Sequence, residues 1–122
     1  MIDRPDAARL LRAMAETLTE QVLPATRGGS QHAARVVANL CRILGREIEQ
    51  GADAAETTRS ELARLLDLDG SLPELALALD DRLRGDRTDA AEGDPRFEAR
   101  AHAVLLADVR RRLAIDRPGY DA

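Results

Sequence analysis

The chain has no lysine and no tryptophan, and only one phenylalanine, one tyrosine and one cysteine among its 122 residues. Its core must therefore be built from Leu, Ala, Val and Ile, a composition that favours helix over strand. The single Cys41 excludes an intramolecular disulfide and is compatible with a reduced compartment. The formal net charge of −4 argues against nucleic acid as a partner, because phosphate binding needs a basic face.

Several functional signatures are also missing. No apolar run approaches the roughly 20 residues of a membrane span, and no basic segment precedes an apolar one at the N-terminus. We therefore expect a soluble, cytoplasmic chain. Gly29 and Ala99 stand three residues before His32 and His102, where a helical two-metal site would need Glu. No glycine-rich phosphate loop, nucleophile elbow or internal repeat occurs either, so no catalytic site, metal or cofactor is predicted.

Helix caps and breakers predict an all-α fold, a single domain over residues 1–122 built as an antiparallel bundle of four to five helices. The first helix is expected from about residue 5, after Asp3 as N-cap, to residue 23, before Pro24. The second is expected to start after Ser30 as N-cap and to end at Gly51 as the residue beyond its C-cap.

Three further helices are predicted. One covers about residues 54–68 and ends at Gly70, with a narrow buried stripe comprising Thr58, Leu62, Leu65 and Leu66. The next starts at a capping box, Ser71 to Glu74, and ends at Gly85. The last starts at Asp94, before Pro95, and reaches about Ile115. A mobile acidic loop at 86–94 and a tail at 118–122 complete the organisation.

The segment from residue 31 to residue 50 has two unlike faces at 100° per residue. Its apolar face is expected to pack in the core and comprises Ala33, Val36, Val37, Leu40, Cys41, Ile43, Leu44 and Ile48. Its other side, the polar edge, comprises His32, Arg35, Asn39, Arg42, Arg46 and Glu49. A row of guanidiniums suits carboxylate or phosphate recognition, although a simple solvated face is the alternative.

Four charged residues fall inside apolar faces. Glu47 lies within that of the second helix, and Asp108, Arg112 and Asp116 follow one line of the last helix at i, i+4 and i+8. We expect a semi-buried ion network in which Glu47 pairs with Arg112, because unpaired buried charges are costly. Alternatively, this face is uncovered in the monomer and binds a partner.

Two segments resemble a known family: residues 32–39 with Arg46-Glu47, and the tail from Leu113 to Tyr120. Arg4-Pro5 and Leu23-Pro24 fit the same pattern, so the likeness spans nearly the whole chain. The family is a bacterial group of small helical proteins of unknown function. The resemblance implies genes that neighbour an aminoglycoside-phosphotransferase-like kinase and an acyl-CoA dehydrogenase. It also implies an accessory subunit of the kinase that phosphorylates 4-hydroxyacyl-CoA in levulinate-type catabolism.

The leading functional hypothesis is thus a non-catalytic subunit that binds a kinase-fold partner through the polar edge and the exposed aromatic Tyr120. A second hypothesis is a small module in which Arg35, Arg42 and Arg46 clamp an anionic ligand such as CoA. A third is a homo-oligomeric bundle, suggested by Leu77, which falls outside the apolar stripe of its helix.

Overall fold

The computed structural model describes residues 6–88 and 94–120 and contains four α-helices in those ranges. They are α1 (Ala7–Thr17), α2 (Gly28–Leu66), α3 (Leu72–Thr88) and α4 (Pro95–Asp116). The described residues contain no strand, so the predicted all-α class is confirmed. None of these helices combines the length and apolarity that crossing a lipid bilayer requires.

The first helical segment extends past its predicted end before Pro24, although its α-helical part is shorter than predicted. Asp3 lies outside the described residues, and Asp6 is the N-cap, accepting the Arg9 amide at 2.8 Å. After α1 the chain continues as a π-helical turn over Leu18–Val22 and a 3-10 turn over Leu23–Ala25. Pro24 does not end this path because it lies in the first turn of the 3-10 segment, where its missing amide is not needed.

The second and third predicted helices are one continuous helix of 39 residues, α2. Gly51 was expected to end a helix, but its φ is not positive and the helix passes through it. A glycine inside a helix costs only about 1 kcal/mol relative to alanine, which neighbouring helix formers outweigh. Ser30 is not an N-cap either, because α2 begins at Gly28, whose φ is +64°.

The chain divides into two compact units, each described here by itself. Unit 1 contains the residues up to Ala52 together with Ile115–Tyr120, and unit 2 contains Asp53–Ala114. Helix α2 contributes residues to both units. The single-domain organisation stays a prediction.

Unit 1 is held by a seam of small residues between α1 and α2. The buried side chains of the seam are Ala8, Ala15, Ala34, Ala38 and Cys41. A Cβ added at Gly45 would lie 3.8 Å from the Ala8 carbonyl oxygen, so the two backbones approach closely there. The helices are antiparallel, because Arg12 pairs with Glu49 whereas Thr19 accepts from Arg42.

The prediction that the large aliphatic face of α2 forms the core is wrong. Of its eight residues only Cys41 is buried, and Ile43 is half-buried. Five large side chains, here called the apolar stripe, are 42–54% exposed: Val36, Val37, Leu40, Leu44 and Ile48. Close approach to α1 requires small residues, so α2 turns its alanines inward and its larger side chains outward.

Unit 2 has the larger core, comprising Leu62, Leu65, Leu75, Leu79, Phe97 and Ala101. Burial of Thr58, Leu62 and Leu65 confirms the stripe predicted for this part of α2. The predicted cap of α3 is confirmed, since the Glu74 amide donates to Ser71 Oγ at 3.3 Å. The predicted start of the last helix is confirmed as well, since α4 begins at Pro95, and Asp94 Oδ1 accepts the Arg96 amide at 3.0 Å.

Gly70 and Gly85 do not terminate helices as predicted, although α2 ends within two residues of its expected end. Helix α2 ends at Leu66, and the next residue, Asp67, has a φ of +53°. The Leu68 amide donates to the Ala63 carbonyl at 3.1 Å. This 6→1 bond is the usual helix-terminating arrangement and precedes Gly70. Helix α3 passes Gly85 and reaches Thr88, so the start of the predicted acidic loop is helical. Residues 89–93 of that loop lie outside the described residues.

Gly51→Ala should stabilise the protein by about 0.5–1 kcal/mol, because alanine loses less backbone entropy in a helix. The added Cβ meets only the flexible end of Glu47, 2.5 Å from its Oε1 at the present rotamer. Urea unfolding followed by circular dichroism measures the change. Gly28→Ala is the control and should destabilise, since the φ of Gly28 is +64°. A destabilised Gly51→Ala variant would contradict the continuous helix.

Candidate functional site

The polar edge of α2 separates into free and engaged side chains. His32, Arg35 and Asn39 are exposed, and none of these side chains forms a hydrogen bond or ion pair with the described residues. Arg42 instead donates to Thr19 Oγ1 at 2.8 Å. Three of the six predicted positions therefore keep their full hydrogen-bonding capacity for another molecule.

Arg46 brings the C-terminal segment to the polar edge. Its Nε donates to the Ile115 carbonyl oxygen at 2.6 Å, across 69 residues of sequence, and Ile115 is 3% exposed. This bond satisfies a carbonyl in the last turn of α4 that has no partner within the helix. Arg46 therefore has a structural role that the sequence did not reveal.

Tyr120 lies in the turn that follows this contact. The chain turns through Gly119, with φ +85°, and the Tyr120 amide donates to the Arg117 carbonyl at 3.2 Å. The Arg117 guanidinium lies 5.4 Å from the centre of the Tyr120 ring. Tyr120 nevertheless stays 62% exposed, as an anchor for a partner would require.

A groove of about 270 Å³ runs beside the seam in unit 1. Three guanidiniums and two carboxylates line it, from Arg12, Arg42, Arg46, Glu16 and Glu49. Arg35 does not line this groove, so the predicted clamp of Arg35, Arg42 and Arg46 is not assembled in one cavity. The third arginine of the groove is Arg12, which also forms an ion pair with Glu49.

The predicted buried ion network forms only in part. Arg112 pairs with Asp108 at 2.9 Å within α4, but the Arg112 side chain is 66% exposed. Asp116 and Glu47 are exposed, and Glu47 makes no ion pair with any residue that the structure describes. Arg112 consequently meets its carboxylate on its own helix, and no buried charge depends on the expected pairing with Glu47.

The polar cluster of unit 2 instead centres on the half-buried Arg111, which the sequence analysis missed. Arg111 donates to both oxygens of Glu61 at 3.1 and 3.2 Å and to Thr58 Oγ1 at 2.9 Å. Thr58, itself 5% exposed, donates to Asp108 at 2.8 Å. The available signal was Thr58 among the residues of α2 predicted to be buried with Leu62 and Leu65, because a buried hydroxyl needs a partner.

Unit 2 also contains an apolar groove of about 410 Å³ between α2, α3 and α4. Five leucines form half of its lining, and Thr58, Asp80, Asp108 and Arg112 are its polar residues. His102 is exposed on α4 and does not line it. Residues 6–88 and 94–120 contain no group of three or more His, Cys, Asp or Glu side chains that could hold a metal ion.

These features define a class: a small all-helical protein with an open polar edge and a large exposed apolar face on one long helix. The chain belongs to the family described as a domain of unknown function, DUF6285, whose model matches residues 24–120. The match includes α2, α3 and α4, the polar edge and the tail. No curated protein and no solved structure matches the chain.

Arg111→Ala should destabilise the protein by about 1.5–3 kcal/mol, because it removes hydrogen bonds to a charged partner and leaves Glu61 half-buried and unpaired. Arg112→Ala is the matched control and should cost less than about 1 kcal/mol, since its ion pair is exposed. Chemical unfolding of both variants tests the contrast. Equal losses would contradict the placement of the buried cluster at Arg111.

The Arg59 fork donates to Glu56 at 2.8 and 2.9 Å and thereby lowers the pKa of Glu56 below its ordinary value. The pair should therefore stabilise the protein fully above the ordinary carboxyl pKa and lose this effect as the pH falls through the lowered pKa. An NMR titration of the Glu56 side chain measures the shift, and Arg59→Gln should raise the pKa again. Identical titrations in both proteins would contradict the pairing.

Proposed function

We propose that this chain is a non-catalytic accessory subunit that binds a kinase-fold protein through the polar edge of α2 and the C-terminal turn. One observation carries the proposal. The Arg46–Ile115 bond gathers two segments, far apart in sequence, into one surface of unit 1. These are the same two segments that carry the family resemblance.

The chemistry of this surface suits a protein partner. Arg35, Asn39 and His32 supply guanidinium, amide and imidazole groups without partners among the described residues. Such groups bind carboxylates and carbonyls on a protein surface, and Arg and Tyr are the side chains that most often dominate binding energy. Tyr120, in the turn that follows Ile115, adds an exposed aromatic side chain.

The kinase-fold identity of the partner comes from the resemblance, which implies an aminoglycoside-phosphotransferase-like kinase acting on 4-hydroxyacyl-CoA. In this proposal the kinase carries the reacting groups. The small subunit supplies binding energy that keeps the kinase soluble or in its active conformation. An affinity change of tenfold needs about 1.4 kcal/mol, which one or two well-placed side chains can provide.

Co-expression of this chain with the aminoglycoside-phosphotransferase-like kinase of the same genome tests the proposal. We expect the two proteins to co-purify and the kinase to phosphorylate 4-hydroxyacyl-CoA faster in the complex than alone. Arg35→Glu and Tyr120→Ala should each weaken the complex by at least about tenfold, because a central anchor costs about 2 kcal/mol or more when truncated.

Arg100→Glu is the matched control, since Arg100 is exposed on α4 in unit 2 and lies outside the proposed surface. It should leave co-purification unchanged. A kinase that is fully active and soluble alone, and that does not bind this chain, would contradict the proposal.

The groove beside the seam favours a second candidate, a module that binds an anionic ligand such as CoA. Arg12, Arg42 and Arg46 line it and could contact phosphate oxygens. Calorimetry with CoA on the isolated chain separates the two candidates. Heat that disappears in Arg42→Ala would support the anion site, and no heat at millimolar CoA would eliminate it.

A further inference from the structure

Two side-chain bonds join α1 to α2 along the groove beside the seam. Arg12 pairs with Glu49, and Arg42 donates to Thr19 Oγ1 at 2.8 Å. Glu16 lies between Arg12 and Thr19 in the chain, and its side chain also lines the groove. The hairpin is therefore bridged on both sides of a carboxylate that takes part in neither bridge.

Glu16 and Arg46 line the groove with opposite charges but do not pair with each other. The Nε of the half-buried Arg46 donates instead to the Ile115 carbonyl oxygen at 2.6 Å. Glu16 is exposed and forms no hydrogen bond or ion pair within residues 6–88 and 94–120. A guanidinium carries four further N–H donors on its two Nη atoms. Both side chains therefore keep the capacity to bind another molecule.

Small residues give the groove its size. Ala15 and Cys41 are buried along it, and Gly45 carries no side chain. Sites for drug-sized ligands measure about 300–1,000 Å³, whereas this groove has a volume of about 270 Å³. It therefore suits a molecule smaller than a nucleotide.

The charges that line the groove define which ligand complements it. Arg12 and Glu49 neutralise each other. Arg42 meets a neutral hydroxyl and Arg46 a neutral carbonyl, so each guanidinium keeps an uncompensated positive charge. Glu16 adds one uncompensated negative charge. A complementary ligand thus carries two anionic groups and one cationic group.

We propose that the groove binds a small amino dicarboxylic acid, with its ammonium group on Glu16 and its carboxylates on Arg42 and Arg46. Guanidinium binds carboxylate through two parallel N–H donors, which gives both strength and orientation. Arg42 and Arg46 are one helical turn, about 6 Å, apart along α2, so one short molecule can contact both. Glutamate carries the three required groups on one short carbon chain and serves as the probe.

This inference concerns the groove to which the second candidate function assigns CoA, but it names a different ligand class. The phosphates of CoA would be repelled by the Glu16 carboxylate, because like charges at close range are unfavourable. An ammonium group instead makes that carboxylate a binding group. The proposal does not depend on the kinase-fold partner, because every residue that it uses belongs to this chain.

Calorimetric titration of the full chain with L-glutamate, glutarate and L-alanine tests the ligand class. Glutarate lacks the ammonium group, and alanine lacks the second carboxylate. We expect glutamate to bind at least about threefold more tightly than either analogue, the effect of one partly exposed ion pair. In NMR spectra, glutamate should shift the amide signals of Cys41 and Gly45, which line the groove.

Two variants test the assigned contacts. Glu16→Gln removes the charge that binds the ammonium group, so the preference for glutamate over glutarate should disappear. Arg42→Gln should remove the preference for glutamate over alanine. Glu20→Gln is the matched control for the first variant, because Glu20 is exposed on the adjoining helical turn and does not line the groove. These readouts are ratios of affinities, which a general loss of stability does not change.

Absence of heat and of amide shifts with millimolar glutamate would overturn the proposal. Equal affinities of the wild-type chain for glutamate and glutarate would do the same, as would loss of the preference in Glu20→Gln. Heat with CoA but not with glutamate would contradict this inference and support the second candidate function. Co-purification with the kinase tests the leading function separately from all of these results.

Discussion

The close approach of α1 and α2 is the constraint on which the rest of unit 1 depends. Alanines line the seam, and an added Cβ at Gly45 would be in van der Waals contact with the Ala8 carbonyl oxygen of α1. Small residues permit this distance and gain dispersion energy from it, but they bury little apolar area. Since the seam uses the alanine side of α2, the larger aliphatic side chains must lie elsewhere on the helix surface. The exposed face is thus a consequence of the seam.

Arg46 shows how a side chain that looks like a surface residue can determine the course of the chain. Its bond to the Ile115 carbonyl makes the end of the chain part of unit 1 rather than unit 2. Guanidinium suits this task because its planar fork can bind a carbonyl while its stem packs along the helix. Arg35 lies on the same face of α2, eleven residues and about three turns earlier, but has no such acceptor. The two arginines differ in role because of which groups lie opposite them, and the tertiary structure determines this.

Local signals were reliable in this sequence wherever the chemistry is local. Ser71 caps α3 as expected, and α4 starts after Asp94 as expected, because a side-chain oxygen three residues before an amide is sufficient. Gly51 misled because glycine permits a helix end but does not impose one. The choice of buried face on α2 could not be derived from periodicity, since small and large apolar residues are adjacent around the helix and hydrophobicity alone does not rank them. Arg111 and Arg112 differ by one position, yet only the first reaches Glu61, a contact that depends on where α2 lies beside α4.

The surface of the N-terminal part of α2 has three sectors with different surroundings. The alanine sector is occupied by α1, the polar edge lies beside the C-terminal turn, and the apolar stripe lies on the remaining side. Polar and apolar surfaces contribute to binding in different ways. Charged groups orient the partners and raise the association rate, whereas buried apolar area lengthens the lifetime of the complex. Because the two surfaces do not overlap, occupation of one leaves the other accessible.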